Sequence, residues 1–170
     1  ALEGAERSVA TSTGMSAIQA SFFTFLKAGD HVVSSRSLFG TTAGFINNIV
    51  TKFGIEVSYV SQTDLSEWRA AVKENTKLLF LETPSNPLNE VADLEALSEI
   101  AHAAGALLVV DNSFLSPVGQ QPLKHGADIS VQSATKAIDG HGRVMGGVLS
   151  GSEELMTQVA MYCNSCGLAM

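Results

Sequence analysis

The sequence predicts an α/β fold in which a mostly parallel sheet is covered by helices on both faces. First, short apolar runs such as residues 106–110 and 127–131 have the near-continuous hydrophobicity of strands buried on both faces. Second, stretches with helical periodicity separate these runs. Third, 45% of the 170 residues are hydrophobic and only 16% are charged, which is ample for a core.

Helices are predicted where apolar residues recur at intervals of three or four. Glycine follows several of these stretches, as is typical of a helix end, and Asp64 and Asp93 stand where an N-cap is expected. Glu153 and Glu154 place negative charge in the first turn of the last helix, where it interacts favourably with the helix dipole. The predicted helices are residues 15–26, 39–53, 65–72 and 94–101, with a last helix that opens at 152–154.

Strands are predicted where four to six consecutive residues are mainly apolar or β-branched. The last strand is interrupted by glycines, and the Pro-containing stretch after Asp111 is predicted as a loop. Because the strands alternate with helices, most of them are expected to be parallel. The predicted strands are residues 31–34, 55–60, 77–82, 106–110, 127–132 and 144–149.

The composition argues against several functional classes. A net charge of −7 disfavours a nucleic-acid-binding surface, and no run is long and apolar enough to cross a bilayer. Cys163 and Cys166 have CxxC spacing, but no second pair completes a zinc site. Their position after a predicted helix does not match a thioredoxin-like redox motif, so we expect structural or incidental cysteines.

Both ends of the chain are abrupt. Residues 1–6 have no initiator methionine and no signal-peptide pattern, and they resemble the tail of a helix. Residues 167–170 end equally abruptly. We therefore expect a fragment of a longer, cytoplasmic protein.

A lysine and a carboxylate follow two of the buried strands. Ser133-Ala134-Thr135-Lys136 comes after the strand at 127–132, and Asp111 ends the strand at 106–110. In open α/β sheets, ligands bind at the carboxyl ends of strands. An amine that can bond an aldehyde and an acid that can hold a pyridinium nitrogen are the two groups that pyridoxal phosphate (PLP) requires. The alternatives are an exposed loop lysine and a turn or capping aspartate.

Three further features could surround such a cofactor. Small residues at 11–16 lead into a helix whose free backbone N–H groups and dipole can attract an anion, although an ordinary N-cap has the same pattern. Phe39 can stack on a flat ring, although a phenylalanine there is more often part of a core. Asn86 lies in a turn made rigid by prolines and can point at a ligand, although asparagine is common in turns.

In this order the motifs resemble those of the Cys/Met-metabolism family of PLP-dependent enzymes, which have the aspartate-aminotransferase-like fold (fold type I). The resemblance runs along essentially the whole chain. It implies that Lys136 forms the Schiff base with PLP, that Asp111 pairs with the pyridine nitrogen, and that both are catalytic. The cofactor-binding residues that it implies are Gly14, Met15, Phe39, Asn86, Asp111, Ser133, Thr135 and Lys136.

The sequence departs from the common family pattern at two places, and at both it resembles the O-succinylhomoserine sulfhydrylases within the family. Phe39 stands where many members carry a stacking tyrosine, and residues 139–143 differ from the Gly-His-Ser-Asp of many cystathionine synthases and lyases. The implied reaction, in methionine biosynthesis, is γ-replacement, in which O-succinylhomoserine and sulfide give homocysteine and succinate. The alternatives are a cystathionine γ-synthase or γ-lyase of the same family, and a non-enzymatic α/β scaffold or binding domain.

The resemblance also bears on domain organisation, because members of the family are longer and form homotetramers built of dimers. It implies that residues 1–170 are the PLP-binding large domain without two other parts. One is an N-terminal segment that reaches the phosphate of a neighbouring subunit, and the other is a C-terminal domain whose arginine holds the substrate carboxylate. We expect the 170-residue chain alone to be inactive.

Overall fold

The computed structural model describes residues 2–170, which form a seven-stranded sheet with helices on both faces. The strand order across the sheet is β1-β7-β6-β5-β4-β2-β3. The strands are β1 (Arg7–Thr11), β2 (His31–Ser35), β3 (Glu56–Val60), β4 (Thr76–Glu82), β5 (Leu107–Asp111), β6 (Ile129–Ser133) and β7 (Gly147–Gly151). The helices are α1 (Gly14–Phe23), α2 (Gly40–Asn48), α3 (Leu65–Ala71), α4 (Leu94–Ala103), α5 (Ser116–Gly119) and α6 (Glu153–Cys166).

The sheet is mostly parallel, as predicted. The neighbouring pairs β2–β3, β2–β4, β4–β5 and β5–β6 are parallel, whereas β7 is antiparallel to both β6 and β1. A helix lies between most of the parallel strands along the chain, but β6 and β7 are joined by a loop and a single wide helical turn. Such a connection does not cross a face of the sheet, so it returns the chain antiparallel.

The inner strands β2, β4, β5 and β6 are largely buried on both faces because helices cover each side, whereas the edge strands β1 and β3 are partly exposed. Alternate strand residues point to opposite faces, so Phe80 and Val109 pack under α1, α2 and α6, whereas Leu79 and Leu108 pack under α3 and α4. We call the first side the α1 face. Fully buried Trp68 anchors α3 on the opposite side. This double coverage explains why β4 and β5 contain near-continuous apolar runs, whereas residues 55–60, which include the edge strand β3, alternate between apolar and polar.

Three predicted helix starts are confirmed by side-chain caps. Asp64 accepts a hydrogen bond from the Ser66 amide at 2.9 Å, and Asp93 accepts one from the Ala96 amide at 3.0 Å. The Ser152 hydroxyl accepts one from the Leu155 amide at 3.2 Å. Each bond satisfies an N–H group that has no partner inside the helix.

The prediction that residues 1–6 end a helix is wrong for the described residues. Leu2 and Glu3 form a turn, Gly4 has a φ of 72°, and the chain then enters β1, a strand that the sequence did not predict. Ala1 lies outside the described residues. The stability of β1 comes from pairing with β7 and from an exposed ion pair at 2.8 Å between Arg7 and Glu153. These partners lie far along the chain, so a local pattern does not reveal them.

Several predicted boundaries are also corrected. The strand predicted at 144–149 begins only at Gly147, because residues 144 and 145 are exposed in the loop before it. The helix predicted at 39–53 is divided into α2 and a tighter turn over Val50–Phe53. The loop predicted after Asp111 contains α5 and a second tight turn, Pro122–His125.

The two cysteines lie in different surroundings. Cys163 is buried in the core of the α1 face, Cys166 is exposed, and both are free thiols. Within residues 2–170, no group of three or more His, Cys, Asp or Glu side chains is placed to hold a metal ion. In the same part of the chain, no helix combines the length and apolarity needed to cross a bilayer.

Candidate active site

A cavity of about 630 Å³ opens at the carboxyl ends of β4, β5 and β6, beside the starts of α1 and α2. This is the edge at which parallel sheets bind ligands. The eight residues predicted from the sequence all line this cavity, so the fold brings together positions that are up to 122 apart in the sequence, from 14 to 136. The other lining residues are Thr13, Ile18, Thr42, Glu82, Ser113, Phe114, Ala137 and Met145.

The register of the sheet explains why the polar side chains converge. Glu82 lies opposite Asp111 in the β4–β5 pairing, two residues beyond Phe80 and Val109 respectively. Because side chains repeat every second residue, both carboxylates continue the rows that pack on the α1 face. Ser133 continues the row of Val131 in the same way. The apolar rows of the core thus become polar where the strands end.

Asp111 is a buried carboxylate without a neighbouring cation. Its side chain accepts a hydrogen bond from the Ser113 amide at 2.9 Å, and within residues 2–170 it forms no ion pair. Burial raises the pKa of Asp111, and hydrogen bonds from Ser113 only partly oppose this rise. The site therefore has unused capacity to stabilise a positive charge.

A second network fixes the backbone around Asp111. The side chain of Asn112 donates to the Gln120 carbonyl at 2.8 Å, and the Gln120 side chain donates to the Thr83 carbonyl at 3.0 Å. The Ser113 hydroxyl accepts from the Ser133 amide at 2.7 Å. These bonds tie the segments after β4, β5 and β6 together, so the position of the Asp111 carboxylate is determined by three strands.

Lys136 lies in the wide helical turn over Ala134–Ile138, at the mouth of the cavity. It is exposed, and among the described residues no carboxylate pairs with its amine. The Thr135 hydroxyl donates to the Gly146 carbonyl at 3.3 Å and accepts from the Gly146 amide at 3.1 Å. Thr135 thus closes the loop on which Lys136 stands, a role that the sequence did not predict.

The start of α1 lies directly against the end of β6. A Cβ atom at Gly14 would lie 2.8 Å from the Cβ of Ser133, closer than real Cβ contacts, so only glycine fits here. Thr13 is the N-cap, and its hydroxyl accepts from the Ser16 amide at 3.0 Å. The amides of Gly14 and Met15 remain without acceptors among residues 2–170, and the helix dipole makes this end attractive to an anion.

Phe39 and Asn86 form another part of the wall. The ring of Phe39 lines the cavity and is 46% exposed. The side chain of Asn86 makes no hydrogen bond within the described residues, which leaves its amide available to a ligand. These positions agree with the predicted roles of stacking and of a polar contact, and the roles themselves stay predictions.

Glu82 is a residue of the site that the sequence analysis did not select. It is 5% exposed, and its Oε2 accepts a hydrogen bond from the Phe39 amide at 2.9 Å. Burial is the main cause that raises the pKa of Glu82 to about 7, and the negative charge of Asp111 adds to the rise. The strand-end argument that selected Asp111 applies equally to Glu82, so the signal was present in the sequence.

Residues 138–144 of the loop after Lys136 lie outside the cavity wall, between the lining residues Ala137 and Met145. Asp139 accepts from the amides of His141 at 3.1 Å and Arg143 at 2.9 Å, and its side chain pairs with the exposed Arg143 guanidinium. These hydrogen bonds lower the pKa of Asp139 and give the exposed loop a defined shape. The loop therefore forms the rim of the site.

Comparisons with known proteins identify the family of the chain. The sequence profile described as "Cys/Met metabolism PLP-dependent enzyme" matches residues 1–170. The chain is 54% identical over 167 residues to the O-succinylhomoserine sulfhydrylase of Pseudomonas aeruginosa, covering 98% of this chain and 41% of that protein. It is 49% identical over 160 residues to the L-methionine gamma-lyase of Fusobacterium nucleatum subsp. polymorphum, covering 94% of this chain and 40% of that protein.

A solved structure shows the same fold. The crystal structure of metB from Corynebacterium glutamicum superposes with a TM-score of 0.92 at 40% identity, over 95% of this chain and 42% of that chain. The chain thus spans about two fifths of the length of the relatives that it matches. With a profile match over its whole length, the chain belongs to the Cys/Met metabolism family of PLP-dependent enzymes.

Proposed function

We propose that this chain is the cofactor-binding part of a PLP-dependent enzyme that makes homocysteine and succinate from O-succinylhomoserine and sulfide. The observation that carries the proposal is that Asp111 and Lys136 stand on the wall of one cavity at the carboxyl edge of the sheet. Two of the most similar relatives, from Pseudomonas aeruginosa and Mycobacterium tuberculosis, are O-succinylhomoserine sulfhydrylases, which supports this substrate.

The residues of the cavity suit PLP in three respects. The buried carboxylate of Asp111 lacks a cation, and a protonated ring nitrogen would supply one. The free amides of Gly14 and Met15, beside the Ser133 hydroxyl, form an anion site for a phosphate. The volume of about 630 Å³ is within the range of cofactor sites.

When bound, PLP supplies an aldehyde carbon that amines attack and a ring that withdraws electrons from the substrate's α-carbon. We assign to Lys136 Nζ the removal of the proton from that α-carbon and the movement of protons while succinate leaves and sulfide adds to the γ-carbon. We assign to Asp111 the retention of a proton on the ring nitrogen. Phe39 would hold one face of the bound ring, and the Asn86 side chain would offer a polar contact to it.

Covalent labelling tests the cofactor site. In the complete protein loaded with PLP, borohydride reduction should attach the cofactor to the peptide that contains Lys136. Lys136→Ala should abolish this labelling, whereas Lys124→Ala, an exposed lysine outside the cavity wall, should not change it. Unlabelled wild-type protein would favour the alternative of a non-enzymatic scaffold.

A second function has one specific observation in its favour, the 49% identity to an L-methionine gamma-lyase. Product analysis of the complete protein separates the two reactions. The proposed sulfhydrylase consumes sulfide and releases succinate, whereas a lyase releases a keto acid and ammonia without added thiol. Replacing sulfide with cysteine tests the third candidate, a cystathionine γ-synthase.

We further propose that the active protein is a homotetramer built of dimers and extends beyond this domain. The support is the family membership and the coverage of only 41% of the first relative. Light scattering of the complete protein tests the assembly. An assay of residues 1–170 alone tests the domain proposal, since steady homocysteine production by that piece would contradict it.

A further inference from the structure

Glu82 is a buried acid in the cavity wall that the proposed mechanism does not use. It ends β4 and lies beside Asp111 in the sheet, yet it is 5% exposed and has no cation against it within residues 2–170. A carboxyl group in such a place is costly to bury unless its hydrogen bonds compensate. Its contacts therefore indicate what it does.

The main hydrogen bond of Glu82 within the site comes from the amide of Phe39, which donates to Oε2 at 2.9 Å, and the backbone amide of Asn86 acts on the same carboxyl group to a smaller extent. Phe39 directly precedes α2 and makes no side-chain cap for that helix. The preceding residue, Leu38, is buried, whereas the Phe39 ring is 46% exposed and faces the cavity. The bond to Glu82 thus fixes the backbone at the point where the chain turns from the core toward the site.

We propose that Glu82 is a positioning residue, whose side chain holds the Phe39 amide so that the Phe39 ring stands against the flat face of the cofactor. This inference rests on the proposed PLP site. Phe39 has no hydroxyl group, so its contribution depends on the placement of its ring alone. Burial raises the pKa of Glu82 to about 7, whereas the hydrogen bond from the Phe39 amide lowers it. The carboxyl group can accept this bond in either protonation state, so variants are needed to separate the bond from the charge.

Two conservative variants of the complete protein separate the hydrogen bond from the charge. Glu82→Gln keeps an acceptor oxygen at the same reach but cannot ionise, whereas Glu82→Asp keeps the carboxylate and withdraws it by one methylene. The readout is the dissociation constant of PLP for the apo-protein. We expect Glu82→Gln to bind PLP within about twofold of wild type and Glu82→Asp to bind about three- to tenfold more weakly, in line with the loss of a stacking contact.

A double-mutant cycle tests whether Glu82 acts through Phe39. In a Phe39→Ala background the ring is absent, so Glu82→Asp should cause no further loss of PLP affinity. Glu67 provides the matched control, since it accepts from the Ser61 amide at 2.7 Å outside the cavity. Glu67→Asp should leave PLP affinity unchanged.

A failure of the positioning role of Glu82 can be distinguished from a failure of the proposed cofactor site. If wild-type protein does not bind PLP, the cofactor site itself is wrong. If wild-type protein binds PLP but Glu82→Asp binds as well as Glu82→Gln, the positioning role is overturned. The same holds if the effect of Glu82→Asp persists undiminished without the Phe39 ring.

Discussion

Two buried polar sites at opposite ends of the sheet show what distinguishes a structural group from a site. His31, at the start of β2, is fully buried, and its ring nitrogens contact the hydroxyls of Thr76 at 2.8 Å and Ser58 at 2.9 Å. Asp111, at the end of β5, is equally enclosed but is bonded by its own loop residue, Ser113. Burial lowers the pKa of His31 and raises that of Asp111.

A shifted pKa therefore does not distinguish these two sites, because burial shifts the pKa of each group in the direction that favours its neutral form. The difference lies in hydrogen-bonding capacity. At the amino ends of the strands the protein satisfies His31 with its own hydroxyls, whereas at the carboxyl ends it leaves Asp111 without a cation. Unused capacity in a cavity is the better indicator of a ligand site.

The largest effect is expected from Asp111→Asn in the complete protein, which removes the charge and keeps the shape. Because a neutral amide cannot hold the proton on the ring nitrogen, activity should fall by at least about a hundredfold. The apo-protein should melt at the wild-type temperature or above, since an unpaired buried charge is removed. Steady-state assays and thermal melting check these results. A large drop in melting temperature would mean that Asp111 is structural, like His31.

His31→Ala is expected to have the opposite profile. The variant removes the ring that the hydroxyls of Thr76 and Ser58 contact, and Thr76 keeps only its bond from the Lys73 amide. The complete apo-protein should therefore lose about 2 kcal/mol of stability. The PLP dissociation constant, measured below the melting temperature, should not change. Thermal melting and absorbance titration are the measurements. Weaker PLP binding at unchanged stability would contradict the contrast between the two ends of the sheet.

A third effect, of similar size, is expected in the pH dependence of stability that arises from Glu82. Its pKa is about 7 in the folded state and 4.5 in the unfolded chain, so the folded state retains a proton that the unfolded chain has released. This contribution to stability is fully present below pH 4.5 and is lost as the pH rises toward 7. Urea unfolding of the apo-protein at pH 5 and pH 7 should show a steeper decline for wild type than for Glu82→Gln.

His31 makes stability change with pH in the direction opposite to Glu82. Its folded pKa is lowered, so its contribution is present above pH 6.5 and is lost as the pH falls. The two groups thus oppose each other, and only the difference between wild type and variant isolates one of them. Glu67→Gln, outside the cavity, is the control. Parallel pH profiles for wild type and Glu82→Gln would show that Glu82 does not titrate in this range.

Much of the site could be predicted because its signals are local. Asp111 and Lys136 follow apolar runs directly, and the caps at Asp64 and Asp93 involve amides only two or three residues away. The role of Thr135 in closing the loop could not be predicted, because its partner, Gly146, lies eleven residues further along the chain. Glu82 was missed although it also ends a strand, since its significance depends on Phe39 from a separate element.

The sequence by itself determined the α/β class, most strand and helix positions, and which polar residues stand at strand ends, because periodicity and caps act over a few residues. Only the tertiary structure decided that β1 and β7 pair antiparallel, that Gly14 packs on Ser133, and that Glu82 holds Phe39. Those contacts join residues that are 43 to 144 positions apart, and their partners are chosen by the packing of the whole sheet, which no local pattern encodes.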